Sequence, residues 1–276
     1  MYSQEITRRH RAAFIIAIDQ STSMHEMVQF GKLVISKAEA VAYTTNTLLA
    51  ELLDRCRRTD GLRNYYDVAV LGYGNDKVTP LLDSDDFLSI PQLARALEKI
   101  ECEPYEAEEY KLHHKWIKPH AEGNTPMYEA MLTIRNMLHK WCGDENNQAS
   151  FPPVVINITD GEASDCNDSD LHDICEQIRR TATADGNTLL LNIHISSDSR
   201  LPSIIFPMSD ELVSAGHYAH LLAGCSSIMP ASFNSAIAEL KGVGAVPPYY
   251  GMGYNATVVE LLSIINIGSR SITNMG

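Results

Sequence analysis

The residues most able to do chemistry are a carboxylate and two hydroxyls that alternate with other residues. Asp19, Ser21 and Ser23 directly follow the apolar residues 13–18. In a turn after a strand, side chains spaced two residues apart can converge on one point, and all three supply oxygen. Hard cations such as Mg²⁺ require oxygen ligands and prefer octahedral geometry. This stretch therefore predicts a divalent-cation site.

Two later stretches could complete such a site. Asp160 is the first carboxylate after the apolar residues 154–159, and Gly161 permits the sharp turn that must follow it. Thr125 precedes Pro126 at the start of a helical pattern, so its hydroxyl could cap that helix or serve the ion. Taken singly, each stretch is as typical of an ordinary turn or helix cap as of a ligand. Their combination favours the metal site.

The elements that must position these residues are strands buried on both faces. Four short runs are rich in apolar residues and hardly alternate with polar ones, as is typical of a parallel sheet. These runs are residues 13–18, 67–73, 154–159 and 188–195. Residues 78–82 could pair with the second run as an antiparallel edge strand. Asp19 and Asp160 each follow the carboxyl end of a run, which is where open α/β sheets bind ligands.

Helical patterns separate the runs. Apolar residues recur at helical spacing in six segments, namely residues 27–58, 91–100, 126–141, 168–184, 210–222 and 230–240. Gly61 is expected to close the first segment, and Thr125 to cap the third, with Pro126 in its first turn. Strands that alternate with helices predict an α/β fold with a mainly parallel central sheet, one antiparallel edge strand and helices on both faces.

We expect a single domain over residues 1–276, with a core at about residues 12–240. A C-terminal extension, residues 241–276, is expected to pack on that core. Residues 101–122 are polar and predict an exposed loop. Residues 242–254 are rich in Gly, Pro and Tyr and predict a loop that leads into a last apolar stretch, residues 258–267.

Composition excludes several classes of protein. The chain of 276 residues has a formal net charge of -13, which repels phosphate backbones, so nucleic acid is excluded as a partner unless the fold hides a basic patch. Residues 1–11 predict a polar lead-in rather than a signal peptide, and no apolar run is long enough to span a membrane. The six cysteines contain no CxxC pair, which favours reduced thiols and a cytoplasmic location.

The three polar stretches, in this order and at these spacings, resemble the metal-ion-dependent adhesion site of the von Willebrand factor A (vWA) family. That site has Asp-x-Ser-x-Ser after the first strand, a Thr in a middle loop, and an Asp, usually followed by Gly, after the fourth strand. The resemblance covers about residues 12–240. It implies a Rossmann-like three-layer fold and a site for Mg²⁺, Mn²⁺ or Ca²⁺. By resemblance the ligands are Asp19, Ser21, Ser23, Thr125 and Asp160.

The same resemblance implies how the site works. The hydroxyls would ligate the ion directly and the aspartates directly or through water, which leaves one coordination place for a carboxylate of a partner protein. A narrower likeness is to bacterial cytoplasmic vWA proteins of the tellurite-resistance and stress-response type, on the Asn124-Thr125-Pro126 loop and residues 251–269. Such proteins are found with protein kinases and phosphatases. The implied function is non-enzymatic, cation-dependent protein binding.

Two other functions stay open on the sequence, a metal-dependent hydrolase or phosphatase and a scaffold domain with no metal function. A hydrolase needs a general base near the ion, for which His194 and His217 are the candidates. A phosphatase of the haloacid dehalogenase type needs a second Asp where this chain has Ser21. The sequence has no P-loop, no GxSxG elbow and no HExxH motif.

Overall fold

A central sheet of eight strands organises the residues that the computed structural model describes. These residues are 2–30, 32–98, 116–197, 202–213, 216–242, 244–257, 260–261 and 263–264. In chain order the strands of the sheet are β1 (Ala12–Asp19), β2 (Tyr66–Gly74), β3 (Lys77–Pro80), β4 (Leu88–Ser89), β5 (Val154–Thr159), β6 (Leu189–Ile195), β7 (Ile204–Ile205) and β8 (Met252–Ala256). They lie side by side in the order β7, β8, β6, β5, β1, β2, β3, and β4 also pairs with β2.

The four buried strands and the antiparallel edge strand predicted from the sequence are confirmed. β1 pairs in parallel with β2 on one side and with β5 on the other, and β6 and β8 continue the parallel series. β3 and β4 run antiparallel to β2, and β7 runs antiparallel to β8 at the opposite edge. Because β1 and β5 are parallel neighbours, Asp19 and Asp160 emerge at the same edge of the sheet.

Helices cover both faces of the sheet. In the described residues they are α1 (Lys37–Arg55), α2 (Ile90–Glu98), α3 (Met127–Gly143), α4 (Asp168–Arg180), α5 (His217–Cys225) and α6 (Asn234–Lys241). Alternate side chains of β1 divide between the faces. Phe14 is buried in one apolar cluster with Leu49 of α1, whereas Ile15 is buried in a second cluster with Ile134 of α3. This is the layered α/β arrangement that the sequence predicts.

The helix predicted for residues 27–58 is wrong at its start. Met27–Phe30 and Leu33–Ser36 form an antiparallel hairpin, and α1 follows it. A capping box fixes this boundary, because the Ser36 hydroxyl accepts from the Glu39 N–H at 3.2 Å while the Glu39 carboxylate accepts from the Ser36 N–H at 2.8 Å. The spacing of apolar residues does not reveal this boundary, because apolar residues continue on both sides of the capping box.

The predicted end of that helix is also wrong. α1 ends at Arg55, and a second hairpin pairs Arg57–Arg58 with Gly61–Leu62. Gly61 has a φ of 120°, a conformation that favours glycine, so it serves this hairpin rather than the helix end.

The start of α3 differs from the prediction as well. Pro126 takes the N-cap position, and Thr125 does not cap the helix. The carboxylate of Asp165, from the loop after β5, accepts instead from the N–H groups of Tyr128 and Glu129 at 3.0 Å each. A cap supplied from across the fold leaves no local signal in the sequence.

The remaining predicted helices differ at their ends. α4 ends at Arg180, short of residue 184, because Ala182–Thr183 and Gly186–Asn187 form a third hairpin. Residues 210–213 form turns, and α5 begins later. A 3₁₀ turn, Ala231–Phe233, precedes α6, and α2 begins at Ile90 with residues 99–100 of its predicted span outside the described residues.

The loop predicted for residues 242–254 is wrong at its end, because β8 inserts into the sheet between β6 and β7. Most of the exposed loop predicted for residues 101–122 lies outside the described residues, but Trp116 and Ile117 within it are buried. Much of the predicted apolar stretch, residues 258–267, is also outside them.

The sequence predicts reduced cysteines and no segment that spans a membrane, and both predictions can be compared with the described residues. The five cysteines among them are all free, and Cys102 lies outside them. None of the described helices combines the length and the apolar character needed to cross a membrane.

Candidate metal centre

Four of the five predicted ligands meet at the carboxyl edge of the sheet. The N–H of Ser21 donates to Oδ1 of Asp19 at 2.8 Å, and the hydroxyl oxygens of Ser21 and Ser23 are 3.0 Å apart. The Ser23 hydroxyl donates to Oδ1 of Asp160 at 2.7 Å. Asp19, Ser21, Ser23 and Asp160 therefore form one hydrogen-bonded cluster of oxygens from two distant stretches of chain.

Thr125 lies in a loop beside this cluster. Its N–H donates to the hydroxyl of Ser164 at 3.0 Å, and its carbonyl accepts from the N–H of Ser164 at 3.0 Å. Ser164 belongs to the loop that follows Asp160, so Thr125 is fixed next to that loop. Thr125 is buried, but within the described part of the chain no hydrogen bond joins its hydroxyl to the other four predicted ligands.

Close backbone packing joins the Thr125 loop to the Asp19 loop. The carbonyl of Gln20 accepts from the N–H of Glu122 at 2.6 Å, and the carbonyl of Gly123 accepts from the N–H of Thr22 at 2.9 Å. A Cβ atom on Gly74, at the end of β2, would lie 2.7 Å from the Gln20 carbonyl oxygen. Glycine at this position therefore lets the three segments meet at one edge of the sheet.

Two further side chains belong to the cluster, and the sequence analysis missed both. The Thr159 hydroxyl donates to Oδ2 of Asp19 at 2.7 Å. The Lys37 ammonium donates to Oδ2 of Asp160 at 2.9 Å, and the two side chains are 4% and 0% exposed, so this ion pair is buried. Thr159 falls inside an apolar strand pattern that gives no sign of a polar role. Lys37 was hidden in the middle of the long helix predicted there.

The two carboxylates of the cluster differ in how their charge is balanced. Asp160 is paired with Lys37, which also binds Oε2 of Glu26 at 2.6 Å. Asp19 is fully buried, and among the described residues it pairs with no lysine, arginine or histidine. Burial raises the pKa of Asp19 to about 6, and the negative charge of Asp160 acts in the same direction. A nearby cation would offset the cost of keeping Asp19 ionised.

The chemistry of the donors fits a hard divalent cation. Asp19, Ser21, Ser23 and Asp160 offer carboxylate and hydroxyl oxygens and no nitrogen or sulfur, which is the set that Mg²⁺ and Ca²⁺ prefer. Lys37 contacts Oδ2 of Asp160, while Oδ1 is turned towards Ser23 within the cluster. These four residues, with Thr125 beside them, are the ones that would hold the ion.

A group of rings packs beside Asp160. His194 stacks on Tyr254 with ring centroids 4.8 Å apart and meets Tyr218 edge-on at 5.8 Å. Nδ1 of His194 accepts from the N–H of Asn255 at 3.3 Å, and the ring also hydrogen-bonds the backbone of Asp160. Burial lowers the pKa of His194 to about 4, so the ring is neutral near pH 7. His194 thus braces the backbone of Asp160 and is itself held by the backbone of Asn255.

No family model and no curated protein matches the sequence. Among solved structures, the chain is similar to a von Willebrand factor type A protein from Catenulispora acidiphila, at 17% identity and a TM-score of 0.43, over 68% of this chain and 34% of that one. It is similar to the SpRpn10 VWA domain at 11% identity and a TM-score of 0.45, over 79% and 83% of the two chains. A third similar structure is the vWF domain of the pilus tip protein Mfa5 from Porphyromonas gingivalis, at 14% identity and a TM-score of 0.34, over 56% and 39%. The chain spans about a third of the length of the Catenulispora protein.

Proposed function

We propose that this chain is a divalent-cation-dependent protein-binding module of the vWA type, without enzymatic activity. The observation that carries the proposal is the fully buried carboxylate of Asp19, which has no cationic partner among the described residues and lies in a cluster of hydroxyl and carboxylate oxygens. A bound Mg²⁺ would supply a coordination place for a carboxylate of the partner protein.

The residues of the site explain why an acidic partner is favoured. Ser21 and Ser23 contribute neutral hydroxyls, and Lys37 offsets the charge of Asp160. Asp19 is then the one uncompensated carboxylate in the cluster, so the site has less negative charge than a divalent cation carries. An acidic side chain of a partner makes up the difference, although the chain as a whole is acidic.

A metal-dependent hydrolase is supported less well, because a general base must be available beside the reacting group. His194 is neutral and half-buried, and its ring is held by hydrogen bonds to the backbones of Asn255 and Asp160. The ring of His217 hydrogen-bonds the carboxylate of Asp168, and its side chain is 81% exposed. Neither histidine has the arrangement of a base next to Asp19.

We extend the proposal to the biological setting that the sequence suggests. The Asn124-Thr125-Pro126 loop and residues 251–269 are similar to cytoplasmic bacterial vWA proteins of stress-response and tellurite-resistance systems. The partner would then be a protein kinase or phosphatase of the same system. Copurification of such an enzyme in the presence of Mg²⁺, and its release by EDTA, tests this extension separately from the metal site.

Titration calorimetry with MgCl₂ and MnCl₂ tests the metal site. We expect Asp19→Asn and Asp160→Asn to weaken binding at least a hundredfold, because each removes a charged ligand while keeping the side-chain shape. Glu162→Gln is the matched control, since Glu162 is an exposed acid two residues beyond Asp160. Full metal affinity in the Asp19→Asn variant would show that the site is assigned to the wrong residues.

The role of the partner carboxylate can be tested with Mn²⁺ as the probe. Water-proton relaxation reports the waters on protein-bound Mn²⁺, and acetate should displace one of them. Acetamide, which has the same shape without the charge, is the control. Relaxation that stays unchanged at saturating acetate would contradict carboxylate bridging but leave the metal site intact.

A further inference from the structure

A cavity that is open to solvent and lined largely by exposed side chains lies at the opposite, amino-terminal edge of the sheet. Its lining comes from the segment that leads into β1, with Arg8 and Arg9, and from the segment between α1 and β2, with Arg58, Asp60, Arg63 and Tyr65. The two segments are joined where the N–H of Ala12 donates to the carbonyl of Tyr65 at 3.0 Å. The cavity has a volume of about 650 Å³. This is a size typical of sites for small molecules.

The lining is strongly basic, although the whole chain has a net charge of -13. Four arginines and one aspartate contribute the charged groups. The guanidinium of Arg63 binds both oxygens of Asp60, at 2.8 and 2.6 Å. Arg8, Arg9 and Arg58 pair with no carboxylate in the part of the chain that the structure describes. Three positive charges of the cavity are therefore uncompensated.

Arginines close to the cavity in sequence, but outside its lining, do have acidic partners. These pairs are Arg11 with Asp67 at 3.0 Å, Arg55 with Glu51 at 3.2 Å and Arg57 with Asp54 at 3.6 Å. Carboxylates are thus within reach of arginines at this edge of the fold. The arginines that lack one are among those that line the cavity, so their positive charge is free to meet an anion from outside the chain.

Arg58 is oriented without being neutralised. Its Nη1 donates to the carbonyls of Arg55 and Arg57 at 2.8 Å each, and its guanidinium lies 5.7 Å from the ring centroid of Tyr65. The carbonyls and the ring restrict the side chain but carry no formal negative charge. A ligand that binds Arg58 therefore meets a cation whose conformational freedom is already reduced.

We propose that this cavity binds a small soluble ligand with two or more phosphate groups. Guanidinium groups match phosphate oxygens with paired, charge-assisted hydrogen bonds. Arg8 and Arg9 come from one segment and Arg58 from the other, so a ligand with separate phosphates can bind both segments at once. A nucleic acid would extend beyond a cavity of this size and meet the acidic remainder of the chain.

Titration calorimetry with pyrophosphate and tripolyphosphate tests this proposal on the full chain. The buffer is depleted of divalent cations on a chelating resin, so that phosphate cannot bind through a metal at the Asp19 cluster. We expect tripolyphosphate to bind more tightly than pyrophosphate. Arg58→Gln should weaken its affinity at least tenfold, and so should the double variant Arg8→Gln, Arg9→Gln.

Arg57→Gln is the matched control. Arg57 precedes Arg58 in the same hairpin and carries the same charge, but it pairs with Asp54 and does not line the cavity. We expect Arg57→Gln to change the affinity less than twofold. Equal losses for Arg57→Gln and Arg58→Gln would show that only net charge matters and would overturn the site, as would failure of both phosphates to bind.

Two further ligands separate the proposed class from other polyanions. A single-stranded oligonucleotide that bound more tightly than tripolyphosphate, and lost that binding in Arg58→Gln, would overturn the small-ligand assignment in favour of nucleic acid. Vesicles containing phosphatidylinositol bisphosphate, with binding to the vesicles but not to tripolyphosphate, would overturn it in favour of a membrane surface. Binding of tripolyphosphate alone supports the proposal and is independent of the metal site.

Discussion

The two edges of the central sheet differ in whether their charged side chains are buried and paired or exposed and unpaired. At the carboxyl edge the polar groups are buried and satisfy one another, as in the hydrogen bond from Thr159 to Asp19 and the ion pair of Lys37 with Asp160. At the amino edge Arg8 and Arg9 are exposed and have no acidic partner among the described residues. The same sheet thus ends in a largely buried polar cluster, partly exposed at Ser23, on one side and an open basic cavity on the other.

This contrast shows that the lack of a partner has a different meaning at each edge. Burying an ion without a counter-ion is costly, so the uncompensated carboxylate of Asp19 is itself an indication of a cation. An exposed arginine is solvated by water and costs little when it is unpaired. At the amino edge it is therefore the orientation of Arg58, rather than the mere absence of a carboxylate, that indicates a ligand.

The largest effect on stability is expected from Lys37→Met. This substitution leaves the buried carboxylate of Asp160 without its cation, and breaking one side of a buried ion pair costs about 3–5 kcal/mol. Urea denaturation without metal should show that loss, and Mg²⁺ should recover part of it because a second cation can take over. Lys140→Met is the matched control, since its partner Asp86 is half exposed, and it should cost no more than about 1 kcal/mol.

If Lys37→Met instead destabilises no more than Lys140→Met, the carboxyl edge is not a closed network in solution. A loss of stability that Mg²⁺ does not recover would separate the two roles of the cluster. The ion pair would then be structural, and the metal would bind elsewhere or not at all.

The next effect comes from His194, whose pKa burial lowers from 6.5 to about 4. The folded state therefore binds fewer protons than the unfolded state between these values, so stability is complete above pH 6.5 and is lost as the pH falls towards 4. The loss approaches about 3 kcal/mol, at 1.36 kcal/mol for each pKa unit. Denaturation of the metal-free chain between pH 7 and 4 measures it.

His194→Gln removes the titrating ring and should make this acid-induced loss smaller by the same amount. Asp19 acts in the opposite sense, because its raised pKa makes stability fall as the pH rises from about 4 to about 6. Asp19 is present in both proteins, so the difference between their pH profiles isolates His194. Identical profiles would mean that the ring is exposed to water and does not brace Asp160.

A smaller effect is expected from Thr159→Val, which keeps the shape of a β-branched strand residue and removes its hydroxyl. Oδ2 of Asp19 then loses its donor, and an unsatisfied buried acceptor costs about 1–3 kcal/mol. Mg²⁺ affinity should fall as well, since the hydroxyl orients Asp19. The substitution Thr47→Val, on α1 and remote from the cluster, is the control for the loss of a threonine hydroxyl that bonds only to a backbone carbonyl.

The carboxyl edge was predictable from sequence because its determinants are local. Apolar runs identified β1 and β5, and parallel pairing then required Asp19 and Asp160 to emerge together. The contacts of Ser21 and Ser23 follow from their spacing after the strand. The spacing of apolar residues could not place Lys37. Its position depends on the hairpin before α1, and the apolar pattern of that hairpin continues into the helix without a visible break.

The amino edge was not predictable in the same way. Composition allowed for a basic patch hidden in the fold, but Arg8 and Arg58 are fifty residues apart and gave no motif. They meet because β1 and β2 are parallel neighbours whose preceding segments converge at Ala12 and Tyr65. A site built from exposed side chains of two connecting segments can be found only once the topology is known. A site that directly follows a buried strand can be found from the sequence, because the apolar strand shows where to look.

The smallest effect on stability is expected at the amino edge, from the double variant Arg8→Gln, Arg9→Gln. Neither guanidinium has an acidic partner in the described residues, and both residues are exposed, so the free energy of unfolding should change by no more than about 0.5 kcal/mol. Arg11→Gln in the same segment should cost more, at about 1–2 kcal/mol, because Arg11 pairs with the buried carboxylate of Asp67. Urea denaturation without phosphate measures both. A double variant as destabilised as Arg11→Gln would show that Arg8 and Arg9 support the fold.

The alternative outcome is a double variant that is as stable as the parent chain and yet no longer binds tripolyphosphate. Arg8 and Arg9 then contribute to ligand binding and not to folding. This is the reverse of the role of Lys37 at the carboxyl edge.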